Sequence, residues 1–202
     1  MKRNVVFLLA CMFAMASALP VSAGNTKTLK DVLGRYFLVG AAMNVDQIWN
    51  RTPDETNVVK NNFNSIVAEN CMKGEEIHPE ENRFFWDDAD RFVKFGQDNG
   101  LAIIGHCLVW HSQPPVWMFT DERGDTVSRD VLIDRMHRHI SAVVGRYKGR
   151  ILGWDVVNEI FNDDGTFRNS PYYRIIGPEF VELAFKFAHE ADPNAELYIN
   201  HY

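Results

Sequence analysis

The segment ILGWDVVNEI, residues 151–160, contains the pattern that decides the fold. Most of its side chains are apolar and several are β-branched, which predicts a strand buried on both faces, as in a parallel sheet. The strand ends in Asn158 and Glu159, an amide beside a carboxylate. A carboxylate in this position either meets solvent or serves a site at the edge of the sheet.

Four further runs of the same kind predict four further strands. They are YFLVGAAM (36–43), FNSIVAEN (63–70), LAIIGHCLVWH (101–111) and ELYINHY (196–202). Amphipathic segments with helix start and stop signals lie between them, and we predict helices over about 52–61, 86–99, 129–148 and 178–191. In the first of these, Thr52 is predicted to cap the helix, Pro53 to open it and Glu55 to complete a capping box. The alternation predicts an α/β protein with a parallel sheet, either open or closed into a barrel.

Polar side chains at the strand ends favour the barrel. All five predicted strands end in groups that can bind or react, whereas an open sheet gathers its site at one switch point. These groups are Asn44, Asp46, Glu69, Asn70, Lys73, His106, Trp110, His111, Gln113, Asn158, Glu159, Asn200, His201 and Tyr202. No glycine-rich phosphate loop follows the first strand, which argues against a nucleotide fold. We therefore predict a (β/α)8 TIM barrel, incomplete in this chain, with about five βα units.

The composition excludes some classes of partner. The net charge is −6, with both signs mixed along the chain, which argues against nucleic acid as a ligand. Two cysteines, Cys71 and Cys107, lie beyond the N-terminal segment. Two cysteines in a chain of this length do not make a disulfide framework, and we predict two small buried side chains.

The N-terminal segment MKRNVVFLLACMFAMASALPVSA, residues 1–23, has a basic start, an apolar centre and a small-residue end. This is the pattern of a signal peptide cleaved after Ala23, which predicts a secreted or periplasmic protein with one domain over residues 24–202. A competing interpretation is a lipoprotein processed at Cys11, although that leaves a very short apolar centre. The apolar run is too short for a membrane span, and no other segment is apolar enough to be one.

The residue types around Glu159 suit a sugar. Trp110 offers a flat apolar face, and Asn70, Gln113 and Asn158 can bond to hydroxyl groups in either sense. Glycosidic cleavage normally needs two carboxyl groups, about 5–5.5 Å apart in retaining enzymes and about 6.5–9.5 Å apart in inverting ones. Asp155 is four strand residues from Glu159, roughly 13 Å, which is too far for either geometry. Glu69 remains open as a partner on spacing alone.

Four motifs, in order along the chain, resemble those of glycoside hydrolase family 10, the endo-β-1,4-xylanases. WDVVNE (154–159) looks like the acid/base strand of the family, and ENCMK (69–73) is similar to its E-N-x-M-K. HCLVWHSQ (106–113) resembles H-x-L-V-W-H-x-Q, and LYINHY (197–202) resembles the fifth-strand L-x-x-N-D-Y. The resemblance covers roughly residues 30–202.

This resemblance implies a retaining mechanism on a (β/α)8 barrel, with xylan and xylo-oligosaccharides as ligands and no cofactor. Glu159 would be the general acid/base, and Asn158 would bond to the 2-hydroxyl of the sugar at the cleavage point. The remaining contacts would be distributed along the substrate: Lys73, His106 and Trp110 at that sugar, Glu69, Asn70 and Gln113 at its non-reducing neighbour, and Tyr202 on the leaving-group side. For His111 two roles stay open, a hydrogen-bonded structural histidine and a substrate contact.

Two departures from the family pattern matter. His201 stands where the family has aspartate, and the nucleophilic glutamate of the family lies on strand 7, beyond residue 202. Five strands would leave two open edges, and residues 24–202 alone are then expected to be inactive. The chain would be a fragment, the product of an interrupted coding region, or a half that complements a second polypeptide carrying strands 6–8, and we favour the first two.

Two other functions are open from the sequence. One is a non-catalytic xylan-binding remnant that keeps the non-reducing-side contacts without the nucleophile. The other is a metal-dependent barrel hydrolase using His106, His111, Glu159 and His201. Because His106 and His111 are five residues apart, they face opposite sides of a regular strand, which weakens shared ligation.

Overall fold

The computed structural model describes residues 27–202, so the predicted signal peptide lies outside the described residues. Five parallel strands form one sheet in chain order. They are β1 Gly40–Met43, β2 Ser65–Ala68, β3 Ala102–Trp110, β4 Gly153–Asn158 and β5 Glu196–Asn200. The predicted parallel sheet is confirmed. Each strand lies within a predicted apolar run and is shorter than it, and β3 comes nearest to filling its run.

Helices precede β1 and connect the successive strands. They are α1 Leu29–Leu33, α2 Val45–Ile48, α3 Pro53–Asn62, α4 Gly74–Ile77, α5 Asp87–Asp98, α6 Arg129–Arg146, α7 Pro171–Ile176 and α8 Phe180–Ala191, with a 3-10 helix at Val116–Met118. Strands in chain order with helical crossovers are the arrangement found in part of a (β/α)8 barrel.

The register of the strands brings the polar ends together. Trp110 of β3 lies beside Asn158 of β4, and Asn158 lies beside Asn200 of β5. The pairing shifts by one residue between His106 and Val109 on β3. Because the strands are parallel, all their carboxyl ends meet at the same edge of the sheet.

A glycine fixes the close approach of β3 and β4. A Cβ added at Gly105 would lie 2.2 Å from an atom of the Trp154 ring. Trp154 is 1% exposed and is one of the largest buried side chains of the described residues. The absence of a side chain at Gly105 therefore leaves the space that the Trp154 indole occupies.

Two predicted helix starts differ from the structure. Pro53 does open α3, but the Thr52 side chain makes no capping hydrogen bond. The prediction of a capping box there is wrong, because Thr52 has a ψ of 75° instead of the extended backbone that aims a cap side chain at the first turn. The last helix begins at Phe180 instead of Pro178, since the chain turns through Gly177, whose φ is 92°.

Both cysteines are buried and unbridged, as predicted. Burial raises the pKa of Cys71 to about 12. At the sheet margins, Phe37 before β1 and Ile199 in β5 are more than half exposed. None of the helices in residues 27–202 combines the length and the apolar character that a bilayer crossing requires.

Candidate active site

Glu159 is the first residue after β4, and its backbone is held in an uncommon conformation. Its φ is 52°, in the left-handed region that non-glycine residues seldom adopt. Its N–H donates to the carbonyl of Asn200 at 3.0 Å, and its carbonyl accepts from Arg168 Nε at 3.0 Å. The Trp110 indole N–H donates to Glu159 Oε2 at 3.0 Å. Contacts to both backbone and side chain therefore fix this carboxylate at the edge of the sheet.

Arg168 was not predicted to belong to the site. It follows a short hairpin in which Phe161 and Phe167 form an antiparallel bridge. Besides Glu159, its guanidinium donates to the carbonyl of Phe161 at 3.3 Å and to the Tyr202 hydroxyl at 2.6 Å. The sequence offered one signal, the turn-forming NDDG before it, which indicates a hairpin without showing where the arginine points.

Lys73 is a buried cation of the site, with 8% of its surface exposed. Its ammonium donates to Asn70 Oδ1 at 2.7 Å and to Gln113 Oε1 at 2.8 Å. It also lies 4.7 Å from the centre of the Trp110 ring, within cation–π distance. An ammonium has three N–H groups, so one can serve a ligand. Gln113 in turn donates to Glu75 at 2.6 Å, which adds a carboxylate that was not predicted.

Asn158 is 3% exposed. Its Oδ1 accepts from the Asn200 side chain at 2.9 Å, which orients the amide and leaves its Nδ2 as a hydrogen-bond donor. The β4–β5 register places the two asparagines side by side. A buried amide with one fixed end suits the recognition of a hydroxyl group.

Asp155 is engaged with His106, not with Glu159. His106 Nδ1 lies 2.8 Å from Asp155 Oδ2, and both side chains are mostly buried, with 15% and 13% exposed. An ionised carboxylate can only accept a hydrogen bond, so His106 is the donor of this contact, through its Nδ1–H. This arrangement agrees with the spacing argument that separated Asp155 from Glu159.

His111 packs edge-on against Trp110, with ring centres 6.0 Å apart. Burial lowers its pKa, and the nearby Arg168 lowers it further while Glu159 opposes the change. The imidazole is therefore neutral near pH 7, where one ring nitrogen donates and the other accepts. A neutral ring beside Trp110 fits either of the two roles expected for it.

The remaining predicted residues lie at the margins. Glu69 is exposed just after β2, and its N–H donates to the carbonyl of Met43. His201 stacks on Tyr202 with ring centres 4.7 Å apart, and both are exposed. Tyr202 is joined to the site through Arg168.

The structure thus brings most of the predicted residues together in two linked groups. Glu159, Trp110 and Asn158 form one, and Lys73 with its amide partners forms the other, with the ammonium over the indole joining them. A fixed carboxylate, an aromatic face and amide donors can hold a sugar ring and exchange a proton with it. Within residues 27–202, no three His, Cys, Asp or Glu side chains converge closely enough to hold a metal ion.

Comparison with known proteins gives consistent matches. The sequence model of the family named glycosyl hydrolase family 10 matches residues 28–202. Endo-1,4-beta-xylanase A of Xylanibacter ruminicola is 59% identical over 192 residues, which are 95% of this chain and 52% of that protein.

Two solved structures are similar in fold as well as in sequence. An endoxylanase retrieved from a sugarcane soil metagenome has a TM-score of 0.83 at 43% identity, covering 86% of this chain and 51% of that one. Xylanase XynB from Paenibacillus barcinonensis, complexed with a conduramine derivative, has a TM-score of 0.83 at 41% identity, covering 89% and 54%. This chain therefore spans about half the length of these relatives.

Proposed function

The chain belongs to glycosyl hydrolase family 10, a family of (β/α)8 barrels, and we propose that it serves the retaining hydrolysis of β-1,4-xylosidic bonds in xylan. The observation that carries this proposal is the fixed carboxylate of Glu159, held by Trp110 and by the left-handed backbone at the end of β4. Its supports are the sugar-binding residue types around it and the xylanases among its relatives.

Glu159 acts as the general acid/base. Its proton goes to the oxygen of the leaving xylosyl group, and it later takes a proton from the water that attacks the intermediate. The Trp110 N–H occupies Oε2, so Oε1 is the oxygen that faces the substrate. Because the Glu159 side chain is held in one rotamer, Oε1 is already in position when the sugar binds. Less conformational entropy is then lost on the way to the transition state.

The other side chains orient the sugar. The Nδ2 of Asn158 donates to the 2-hydroxyl at the cleavage point, because its Oδ1 is already taken by Asn200. Lys73 and His106 line that subsite, and Asn70, Gln113 and Glu69 hold the next sugar on the non-reducing side. Tyr202 lies on the leaving-group side.

The mechanism needs a second carboxylate, and the described strands do not offer a well-placed one. Val67 pairs with Ile104, which pairs with Gly153, so Glu69 lies level with Asp155 instead of Glu159. Two strand spacings, roughly 10 Å, separate it across the sheet, and about four residues separate it along the sheet. We propose that the nucleophile comes from a further strand of the barrel, and that residues 24–202 alone bind xylan without cleaving it.

The N-terminal residues 1–23 support a further proposal, secretion or export to the periplasm. A polysaccharide too large to enter a cell is met outside the cytoplasm, which fits a signal peptide. Mass determination of the mature protein tests it: a chain starting at Gly24 supports cleavage after Ala23, and a lipidated chain starting at Cys11 contradicts it.

The test of function is made on purified residues 24–202 and on Glu159→Gln in parallel. We expect both to bind xylo-oligosaccharides and neither to release reducing sugar from xylan. Sugar release by the native polypeptide and not by Glu159→Gln would place the second carboxylate within the described residues, with Glu69 the first to examine. Failure of both proteins to bind any xylo-oligosaccharide would overturn the assignment of the substrate.

A further inference from the structure

Arg135 of α6 is a buried cation that takes no part in the chemistry described above. It is 8% exposed, and an arginine is seldom this buried unless its charge is paired. Its Nε and Nη2 donate to the two carboxylate oxygens of Glu81 at 3.0 and 2.9 Å. Its Nη1 donates to the carbonyl of Thr120 at 2.9 Å and also to that of Trp117. Bonds on both sides therefore hold the guanidinium in one orientation.

The partners of Arg135 belong to two different connections between strands and helices. The carboxylate lies in the β2–α5 connection, residues 69–86, and the two carbonyls lie in the β3–α6 connection, residues 111–128. The same two connections are joined once more where the Trp117 indole N–H donates to the carbonyl of His78 at 2.9 Å. A rigid planar fork with donors on each side is suited to bridging two segments in this way.

These two connections also build the non-reducing side of the site. Lys73 and Glu75 lie in the first and Gln113 in the second, and the Glu75 N–H donates to the Gln113 carbonyl at 3.0 Å. The Gln113 side chain accepts from the Lys73 ammonium at 2.8 Å and donates to the Glu75 carboxylate at 2.6 Å. A Cβ added at Gly74 would lie 2.9 Å from Pro115 Cδ, so the connections are in close contact here. The bonds of Gln113 therefore depend on the spacing of the two connections.

We infer that Arg135 is a positioning residue for substrate binding. By setting the spacing of the two connections from behind, it fixes the Lys73 ammonium and the Gln113 amide where the sugar on the non-reducing side meets them. This inference rests on the proposed function and deepens it, because it makes the affinity for the sugar depend on a residue that does not touch it. Glu159 is held by other contacts, so the effect is confined to binding.

Two variants of Arg135 and two controls separate positioning from stability. Arg135→Ala removes the whole bridge, and Arg135→Lys keeps the charge without the planar fork. Arg138→Ala is the matched control, since Arg138 also donates to Glu81, at 2.9 Å, but its other carboxylate partner is Asp134 of its own helix. Val143→Ala controls for lost stability, because Val143 is fully buried on α6 about 12 Å further along the helix.

The first readout needs no ligand and reports on the Lys73 ammonium directly. The ammonium lies 4.7 Å from the centre of the Trp110 ring, so a displaced charge changes the ring-proton resonances of Trp110. We expect these resonances to shift in both Arg135 variants and to keep their native values in Arg138→Ala and Val143→Ala. Circular dichroism first shows which proteins are folded, and Arg135→Lys carries the test if Arg135→Ala does not fold.

The second readout is the affinity for xylobiose, measured by titration calorimetry on the same proteins. Xylobiose is long enough for the sugar at the cleavage point and its non-reducing neighbour. We expect binding about tenfold weaker in Arg135→Ala, because about one hydrogen bond to the sugar is lost. Arg135→Lys should be intermediate, and both controls should bind as the native chain does.

Native affinity in the folded Arg135 variants, or unshifted Trp110 resonances in them, would overturn the inference and leave the proposed function standing. Equal weakening in Val143→Ala would also overturn it, because lost stability would then be the cause. Failure of the native chain to bind xylobiose would overturn the proposed function and the role in binding together, and the Trp110 resonances would still decide whether Arg135 positions Lys73.

Discussion

Removing the Arg168 side chain should release the backbone of Glu159 while leaving the rest of the sheet intact. Arg168 Nε is the donor to the Glu159 carbonyl, and its guanidinium also ties the Phe161 carbonyl and the Tyr202 hydroxyl to the same point. Arg168→Ala deletes all three contacts. Arg174→Ala is a matched control, since Arg174 is also a surface arginine that donates to a backbone carbonyl nearby, that of Asn169.

The size of the expected effect follows from two opposing free energies at Glu159, the strain of its backbone and the hydrogen bond from Arg168. A left-handed backbone costs a non-glycine residue roughly 1–2 kcal/mol. A hydrogen bond to a charged donor contributes about 1.5–3 kcal/mol, and the lower end applies because Arg168 is half-buried. Arg168→Ala therefore removes about 1.5 kcal/mol of hydrogen-bond stabilisation, which is as large as the backbone strain at Glu159. A loss of this size increases the equilibrium constant for local opening at Glu159 about tenfold.

Native-state hydrogen exchange at the Glu159 amide, which donates to Asn200, measures this opening directly. We expect about tenfold faster exchange in Arg168→Ala, native exchange in Arg174→Ala, and an intermediate rate in Arg168→Lys, which keeps the charge without the planar fork. Equal exchange of the Glu159 amide in the native chain and in Arg168→Ala would refute the positioning role of Arg168.

Two further predictions concern stability. Gly105→Ala should lower the free energy of unfolding by about 1–3 kcal/mol, since its Cβ would overlap the Trp154 ring, whereas Gly145→Ala, with nothing within 4 Å, should be neutral or stabilising in the same urea titration. Burial lowers the pKa of His139 to about 3, with a further contribution from His78, so the unfolded chain binds more protons below about pH 6.5. The free energy of unfolding should therefore fall as the pH drops from about 6.5 toward 3, with His139 contributing up to about 1.4 kcal/mol per pH unit. Urea titrations of the native chain and of His139→Gln across this range measure the dependence, and an equally steep fall in His139→Gln would contradict this account.

Much of the fold could be predicted because its strands are buried apolar runs with polar ends. The strand 151–159 and its neighbours were predicted for this reason, and so were the helices of ten residues or more. The short helices α1, α2, α4 and α7 were not predicted, because four to six residues carry too little periodicity. For α2 a local signal did exist: Asn44 and Gln47 form a reciprocal capping box, which the sequence N-x-x-Q could have indicated.

The candidate site could be predicted as a set of residues but not as a set of contacts. The motifs placed Trp110, Asn158 and Glu159 at neighbouring strand ends, and parallel pairing then brought them together. Arg168 lies in a loop and Glu75 lies in the short helix α4. Both reach the site through tertiary packing, so their spacing in the sequence carries no signal of their contacts.

The role of Glu159 as acid/base is the central claim, and it can be tested without assuming that one polypeptide supplies the whole barrel. Residues 24–202 are joined to the C-terminal remainder of the Xylanibacter ruminicola xylanase, whose matching part is 59% identical to this chain. The measurement is the rate of reducing-sugar release from xylan by this chimera and by its Glu159→Gln variant, after circular dichroism has shown that both are folded. We predict release by the chimera and a loss of at least about a hundredfold in the variant, because general acid–base catalysis contributes about 10²–10⁴ to the rate. Equal rates from the two folded proteins, or no release from either, would contradict the account.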